Sequence, residues 1–156
     1  MVENSAKETF PSYKKSTKYG FGLFASLDLG PGTVIQRFTP SGPSIPEKDY
    51  ETIPVEERAH CLLHLNEASE WVWSITRTDA RYCNHSCSPN TILEDSLDLR
   101  TFKAVKKDEE LTFLYNSGSE SDEWDQAWTF TCGCQSPNCQ GIIDRYRPFD
   151  KKGNPF

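Results

Sequence analysis

Apolar positions along this chain gather in short runs rather than long periodic stretches. After a polar opening over residues 1 to about 17, the runs Phe21–Leu27 and Thr33–Phe38 flank the turn Asp28-Leu29-Gly30-Pro31-Gly32 and read as a strand pair. Pro40–Pro46 is rich in Pro and Ser and reads as loop. Pro54 then suits a first helical turn, and Val55, Ala59, Leu62 and Leu63 recur at i, i+4, i+7 and i+8, which predicts a helix with one apolar face. His60, Cys61 and His64 fall on or beside it and read as packing or surface residues. The runs Trp71–Ile75, Leu99–Val105 and Leu111–Tyr115 return to a strand-like pattern. Five or six short strands, one helix and many turns predict a mainly β domain, without the strand-helix alternation of a parallel sheet.

The length, 156 residues, suits one domain that buries enough surface to fold without disulfide staples. Its six cysteines therefore point to free thiols or a metal site. No apolar run approaches the ~18 residues of a membrane span, and the opening MVENSAKETFPSYKK has no hydrophobic stretch to act as a secretory signal. An intracellular protein is expected, in the nucleus or cytoplasm, or in a host cell if it is a bacterial or viral effector, with no membrane partner. Lys and Arg number 17 against 23 Asp and Glu, a formal charge of −6. With no Lys/Arg-rich tract, this balance argues against direct nucleic-acid binding and suits a basic protein or peptide. Seven acidic and no basic residues lie between Asp108 and Asp125, and Ser117–Asp125 reads as a mobile loop.

Three segments carry candidate chemistry. Cys132-x-Cys134-x4-Cys139, with Gly133 and Gly141 permitting tight turns, can bring three thiolates onto one tetrahedral Zn²⁺. The set is one ligand short, and Cys61, Cys83, Cys87 or a histidine could complete a closed, structural site. Arg81-Tyr82-Cys83-Asn84-His85-Ser86-Cys87-Ser88-Pro89-Asn90 places Asn, His and Cys close together. Thiol triads are assembled from residues distant in sequence, so this run reads better as a turn beside a zinc ligand that presents polar groups to another ligand. Tyr19-Gly20-Phe21-Gly22-Leu23-Phe24-Ala25 matches the letters of a dinucleotide fingerprint. That fingerprint needs a buried strand before it and a helix after it, and neither is indicated here. Its glycines still allow a ligand close to the backbone.

In this order the three segments resemble the SET-domain family of protein lysine methyltransferases. The resemblance covers roughly residues 17 to 142: the glycine motif, Asn-His-Ser-Cys-x-Pro-Asn at 84 to 90, the run Glu110-Leu111-Thr112-Phe113-Leu114-Tyr115, and a post-SET cysteine cluster. It implies several small β-sheets with a knot-like crossing, one inserted helix and a C-terminal zinc-bound segment. The implied layout is a polar arm over 1–16, a SET domain over 17–117 with an insert at about 40–70, an acidic loop over 118–127, a post-SET zinc segment over 128–144 and a tail over 145–156.

The same resemblance implies one structural zinc held by Cys87, Cys132, Cys134 and Cys139, with Cys61 and Cys83 free. It implies S-adenosylmethionine as methyl donor, held by Tyr19, Gly20, Phe21, Gly22, Asn84, His85 and Tyr115 with help from Arg81, its adenine covered by Phe130 or, as a rival, Trp128. Tyr115 matches the active-site tyrosine. Phe113 stands where the family carries Phe or Tyr, and a Phe there implies a di- or trimethylated lysine product. Two positions depart from the family pattern: Leu114 replaces an acidic residue, and Phe38 stands where many members carry a second channel tyrosine. The expected activity is lysine methylation on a basic protein, a histone tail being one such substrate. The alternative is a weak or inactive SET-fold binding module for basic peptides. The sequence carries no signal for an oligomeric state.

Overall fold

A computed structural model of the protein describes residues 9–18, 20–40 and 42–154; Tyr19 and the side chains of Ala59 and His60 lie outside the described residues. The strands are β1 (Ser12–Thr17), β2 (Gly20–Ala25), β3 (Val34–Arg37), β4 (Ile45–Pro46), β5 (Cys61–Leu65) and β6 (Trp71–Ile75). They continue as β7 (Asn84–His85), β8 (Thr91–Leu93), β9 (Asp98–Thr101), β10 (Glu110–Phe113), β11 (Phe130–Thr131) and β12 (Ile142–Ile143). Four small sheets result, in the orders β1-β2-β10-β7, β3-β9-β8, β4-β6-β5 and β11-β12, in keeping with the mainly β reading. No helix among the described residues is long and apolar enough to cross a membrane.

Three local expectations change. The polar stretch before the glycine motif is a strand: β1 pairs antiparallel with β2 along its whole length, Ser12 opposite Ala25 through Thr17 opposite Gly20. It reads as polar because it is a sheet edge, where one side faces water. Its lysines still cover apolar surface, with Lys14 Nζ 5.4 Å from the Phe21 ring centre and 5.1 Å from that of Tyr82. The runs on either side of the Asp28–Gly32 turn do not pair with each other. β2 lies between β1 and β10, and β3 pairs with β9.

The helix expected from Pro54 is also shorter than its apolar spacing suggested. A 3₁₀ turn covers Val55–His60, and the chain then extends as β5, paired with β6 from Cys61 opposite Ile75 to Leu65 opposite Trp71. Leu62 and Leu63 thus belong to a strand. Their spacing fits both periods over so short a run, and the partner strand decides between them.

Leu23, Ile35, Leu99, Val105 and Leu111 are almost fully buried and form the main core where the first two sheets meet. A second core of Ile53, Cys61 and Trp73 lies under the β4–β6 insert, and a third joins Cys87, Cys132 and Ile143. The C-terminal residues 145–154 form a strap rather than a loose tail. Arg147 N donates to Asn116 O at 2.9 Å and Gly118 N to Arg147 O at 3.0 Å. The wholly buried Asn116 donates through Nδ2 to Gln140 Oε1 and Arg145 O, both at 2.9 Å. At Gly153, φ is +89° and an added Cβ would stand 2.7 Å from Cys87 O, so the strap passes the core motif at a point only glycine accommodates.

Candidate active site

The edge strand β7 brings two of the sequence motifs together by pairing parallel with β10, Thr112 opposite Asn84 and Phe113 opposite His85. The third joins through β2, which flanks β10 on its other side. Side chains complete the ladder. Asn84 Nδ2 donates to Phe21 O and to Glu110 Oε2, each at 3.1 Å. Asn90 pairs with β10 as another strand would, donating to Glu110 O and accepting from Thr112 N, both at 2.9 Å. Both amides are thereby fixed in orientation by donors and acceptors of known sense.

At the end of β10 the chain turns outward and presents Tyr115. Its hydroxyl donates to Cys83 O at 2.6 Å, which leaves the oxygen's lone pairs for another donor. Burial of that hydroxyl end pushes its pKa well above the usual phenol value, and the tyrosine is neutral. Tyr115 N donates to His85 Nδ1 at 3.1 Å. The His85 proton therefore sits on Nε2, 3.4 Å from Cys87 Sγ, and burial lowers the imidazole pKa to about 4. The Tyr115 ring lies 4.7 Å from that of Phe113, 5.3 Å from His85 and 5.9 Å from Phe130, and Phe38 meets Phe113 edge-on at 6.2 Å.

These rings stand on one side of a cavity of about 790 Å³, within the size range of ligand pockets. Phe38, Phe113, Tyr115, Phe130 and Arg81 line it from the core side, and the β5–β6 insert lines it from the other. Gly20–Gly22 on β2 and Asn84–His85 on β7 do not line it, and His85 meets it through the rings of Tyr115 and Phe130. Gly20 holds φ +105°, and a Cβ at Gly22 would meet Glu110 Oε2 at 2.8 Å. Gly20 is exposed, and its bare backbone, next to the Phe21 carbonyl that accepts from Asn84, allows a ligand to approach closely. Phe130 lies 5.5 Å from His85. Its rival Trp128 packs instead on the insert, 5.9 Å from Trp73 and 5.8 Å from Tyr50.

The Sγ atoms of Cys87, Cys132, Cys134 and Cys139 all lie within 4.8 Å of one another. With Zn–S near 2.3 Å, tetrahedral geometry spaces sulfurs ~3.8 Å apart, and Cys87 Sγ to Cys132 Sγ is 3.8 Å. The donor set therefore fits zinc. Gln140 N–H points at Cys87 Sγ at 3.3 Å, the kind of outer bond that steadies a thiolate ligand. Among the described candidates for a fourth ligand, Cys87 is the one that stands in this group. Cys83 is buried with its thiol on Leu111 O, and Cys61 bonds Arg58 O with its pKa raised to about 11 by burial. Both are inert core thiols.

Several residues at this site carry no site signal in the sequence. Tyr50, Arg58, Trp73, Trp124 and Asp125 come from segments distant in the chain and meet around the cavity's far wall. No spacing rule joins residues 50 and 125, so their meeting is a tertiary fact. The one available signal was the density of aromatics between Trp124 and Phe130. Asp125 is the exception within the acidic loop: its side chain is largely covered, whereas Glu120, Asp122 and Glu123 are exposed.

Comparison with known proteins now adds to this geometry. The family defined as "SET domain" matches residues 20–116. The chain is 31% identical over 146 residues to Methyltransferase flvH of Aspergillus flavus, covering 89% of this chain and 70% of that protein. It is 28% identical to the H3 lysine-36 specific histone-lysine N-methyltransferase of Saccharomyces cerevisiae, covering 83% of this chain, and 27% identical to the histone-lysine N-methyltransferase ash1 of Drosophila melanogaster, covering 80%. It spans only 18% and 6% of those two longer proteins. With three motifs converging on one sheet and a match over most of their extent, the chain belongs to the SET-domain family.

Proposed function

We propose that this protein is an S-adenosylmethionine-dependent lysine N-methyltransferase acting on a basic protein, such as a histone tail, in the nucleus or cytoplasm. The observation that carries this reading is Tyr115, held by Cys83 O with its lone pairs free, among Phe38, Phe113 and Phe130 at the wall of the cavity. Bound S-adenosylmethionine supplies an electrophilic methyl group on a sulfonium. The backbone of Gly20–Gly22, with Tyr19, Asn84, His85 and Arg81, is assigned to hold it, and Phe130 to cover its adenine. Four thiolates, Cys87, Cys132, Cys134 and Cys139, are assigned to one structural zinc that fastens the segment carrying Phe130.

A free lysine, with pKa near 10.4, is about one part in a thousand neutral at pH 7.4. The apolar rings of Phe38 and Phe113 disfavour the ammonium form by desolvation, so a lysine entering between them loses its proton more easily. The Tyr115 oxygen accepts a hydrogen bond from the amine and aligns its lone pair, and alignment supplies much of the rate. Phe113 offers no hydroxyl to hold an amine in one rotamer, and the reading extends to di- or trimethyl product. Phe38, 5% exposed and edge-on to Phe113, likewise offers none, and Leu114 is buried. These two positions support the second reading, a SET-fold module that binds basic peptides with little or no turnover.

Incubation with labelled donor, core histones and total cell protein separates the two readings. Transfer that depends on Tyr115 supports the enzyme. Measurable donor binding without transfer favours the binding module, and no donor binding removes the enzyme reading.

A further inference from the structure

The segment Trp124–Cys132 crosses the cavity and is fastened at both ends by different chemistry. At its far end, Cys132 belongs to the thiolate group and Phe130–Thr131 pairs with Ile142–Ile143. At its near end stands Asp125. Its Oδ2 accepts from the Tyr50 hydroxyl at 2.7 Å and faces Arg58 Nη1 at 3.7 Å, and its Oδ1 caps Ala127 N at 2.8 Å. Arg58 is held in turn by Ile53 O at 3.0 Å and lies 5.1 Å from the Tyr50 ring centre. Tyr50 and Arg58 both belong to the insert. One carboxylate therefore ties the insert to the C-terminal segment and starts the short 3₁₀ turn Gln126–Trp128.

Between the two fastenings hang two aromatic walls. Phe130, beside the zinc end, faces His85 and Tyr115, where the donor is assigned. Trp128, beside Asp125, meets Tyr50 edge-on and Trp73 at a tilt, and lines the cavity together with Leu63, Trp71 and Trp124 of the far wall. The side chains of Arg58 and Asp125 are 13% and 20% exposed, so this is a covered pair rather than a solvated surface bridge; Arg58 keeps Glu51 Oε2 at 3.4 Å and Ile53 O at 3.0 Å, so losing Asp125 removes the link to the C-terminal segment rather than the last partner of Arg58.

We infer that Asp125, through Tyr50 and Arg58, is a positioning residue that sets the separation of Trp128 from the core wall and so tunes binding of the acceptor protein, not of the donor. The inference rests on the methyltransferase reading. Contacts made by a wall remote from the transferring methyl act alike in ground and transition states, so they register in KM and spare kcat.

The test compares wild type with Asp125→Asn, Tyr50→Phe and the double variant. For each, KM and kcat are measured on the best protein acceptor, with donor affinity by calorimetry, zinc content and the near-ultraviolet circular dichroism of the tryptophan cluster. Each single variant is expected to raise acceptor KM about tenfold, with kcat and donor affinity within about twofold and zinc retained. The double variant should resemble Asp125→Asn alone, because the two changes remove one shared interaction. Unchanged acceptor KM, or kcat and donor affinity falling together with it, overturns the inference while leaving the enzyme reading intact. If wild type transfers methyl to no protein, the reading of function fails first. The dichroism then decides the rest: a tryptophan band altered in Asp125→Asn supports the fastening of Trp128, and an unaltered band overturns it.

Discussion

Tyr115 concentrates the chemistry assigned to this fold into one hydroxyl. That hydroxyl rests on Cys83 O at 2.6 Å, and Tyr115→Phe removes the group proposed to receive the acceptor amine while leaving the ring that fills the wall. Loss of one such preorganised polar group costs about a hundredfold to a thousandfold in kcat, and donor affinity should hold within a few fold. A second substitution reads the product. Phe113→Tyr adds a hydroxyl beside Tyr115, 4.7 Å away ring to ring, and mass spectrometry should show products shifting from higher methylation states toward monomethyl-lysine. Unchanged product ratios would contradict the space argument. The motif residues were legible because they sit in unbroken runs. Tyr50, Arg58 and Asp125 were not, because a bond between residue 50 and residue 125 depends on how the insert folds back, which no local spacing records.

Among the elements, the cysteine cluster makes the sharpest commitment. Metal analysis should find about one zinc per chain. Cys87→Ser should lose it, and Cys61→Ser, which alters a thiol bonded to Arg58 O in a separate core, should keep it. The reverse pattern would move the fourth ligand. Thiolate ligands must be deprotonated, so zinc should also be released as pH falls. The strap gives a second element-scale outcome. Gly153→Ala meets Cys87 O at 2.7 Å in a left-handed conformation, and should lower the melting temperature through about 1–3 kcal/mol of strain. Elements were read from sequence where apolar residues recur in a short strand-like run, buried through the middle in β6 and on alternate positions in β10. They were misread where an apolar run was too short to separate its periods, as at Leu62–Leu63. They were missed where an edge strand faced water, as in Ser12–Thr17.

Over the whole molecule, three cores, a strap and one covered carboxylate hold the two walls of the cavity against each other. Asp125 carries a pH signature of that arrangement. The Tyr50 hydroxyl first, then the Ala127 N–H, hold its carboxyl below the usual carboxylate range. A depressed folded pKa contributes stability that is present above the unfolded value of ~3.9 and is lost as pH falls through the folded one. Denaturation followed below about pH 4 should therefore show a loss of stability in wild type that is smaller in Asp125→Asn. The net charge of −6 points the same molecule toward basic partners, although the residues that line the cavity owe more to aromatic rings than to the acidic loop. The most direct test of the central claim is recovery of the transferred group. After incubation with S-adenosylmethionine labelled on its methyl and a basic acceptor protein, complete hydrolysis and amino-acid separation should return the label as Nε-methylated lysine with wild type and nearly none with Tyr115→Phe. Label on another amino acid, or equal label on lysine with both proteins, would contradict it.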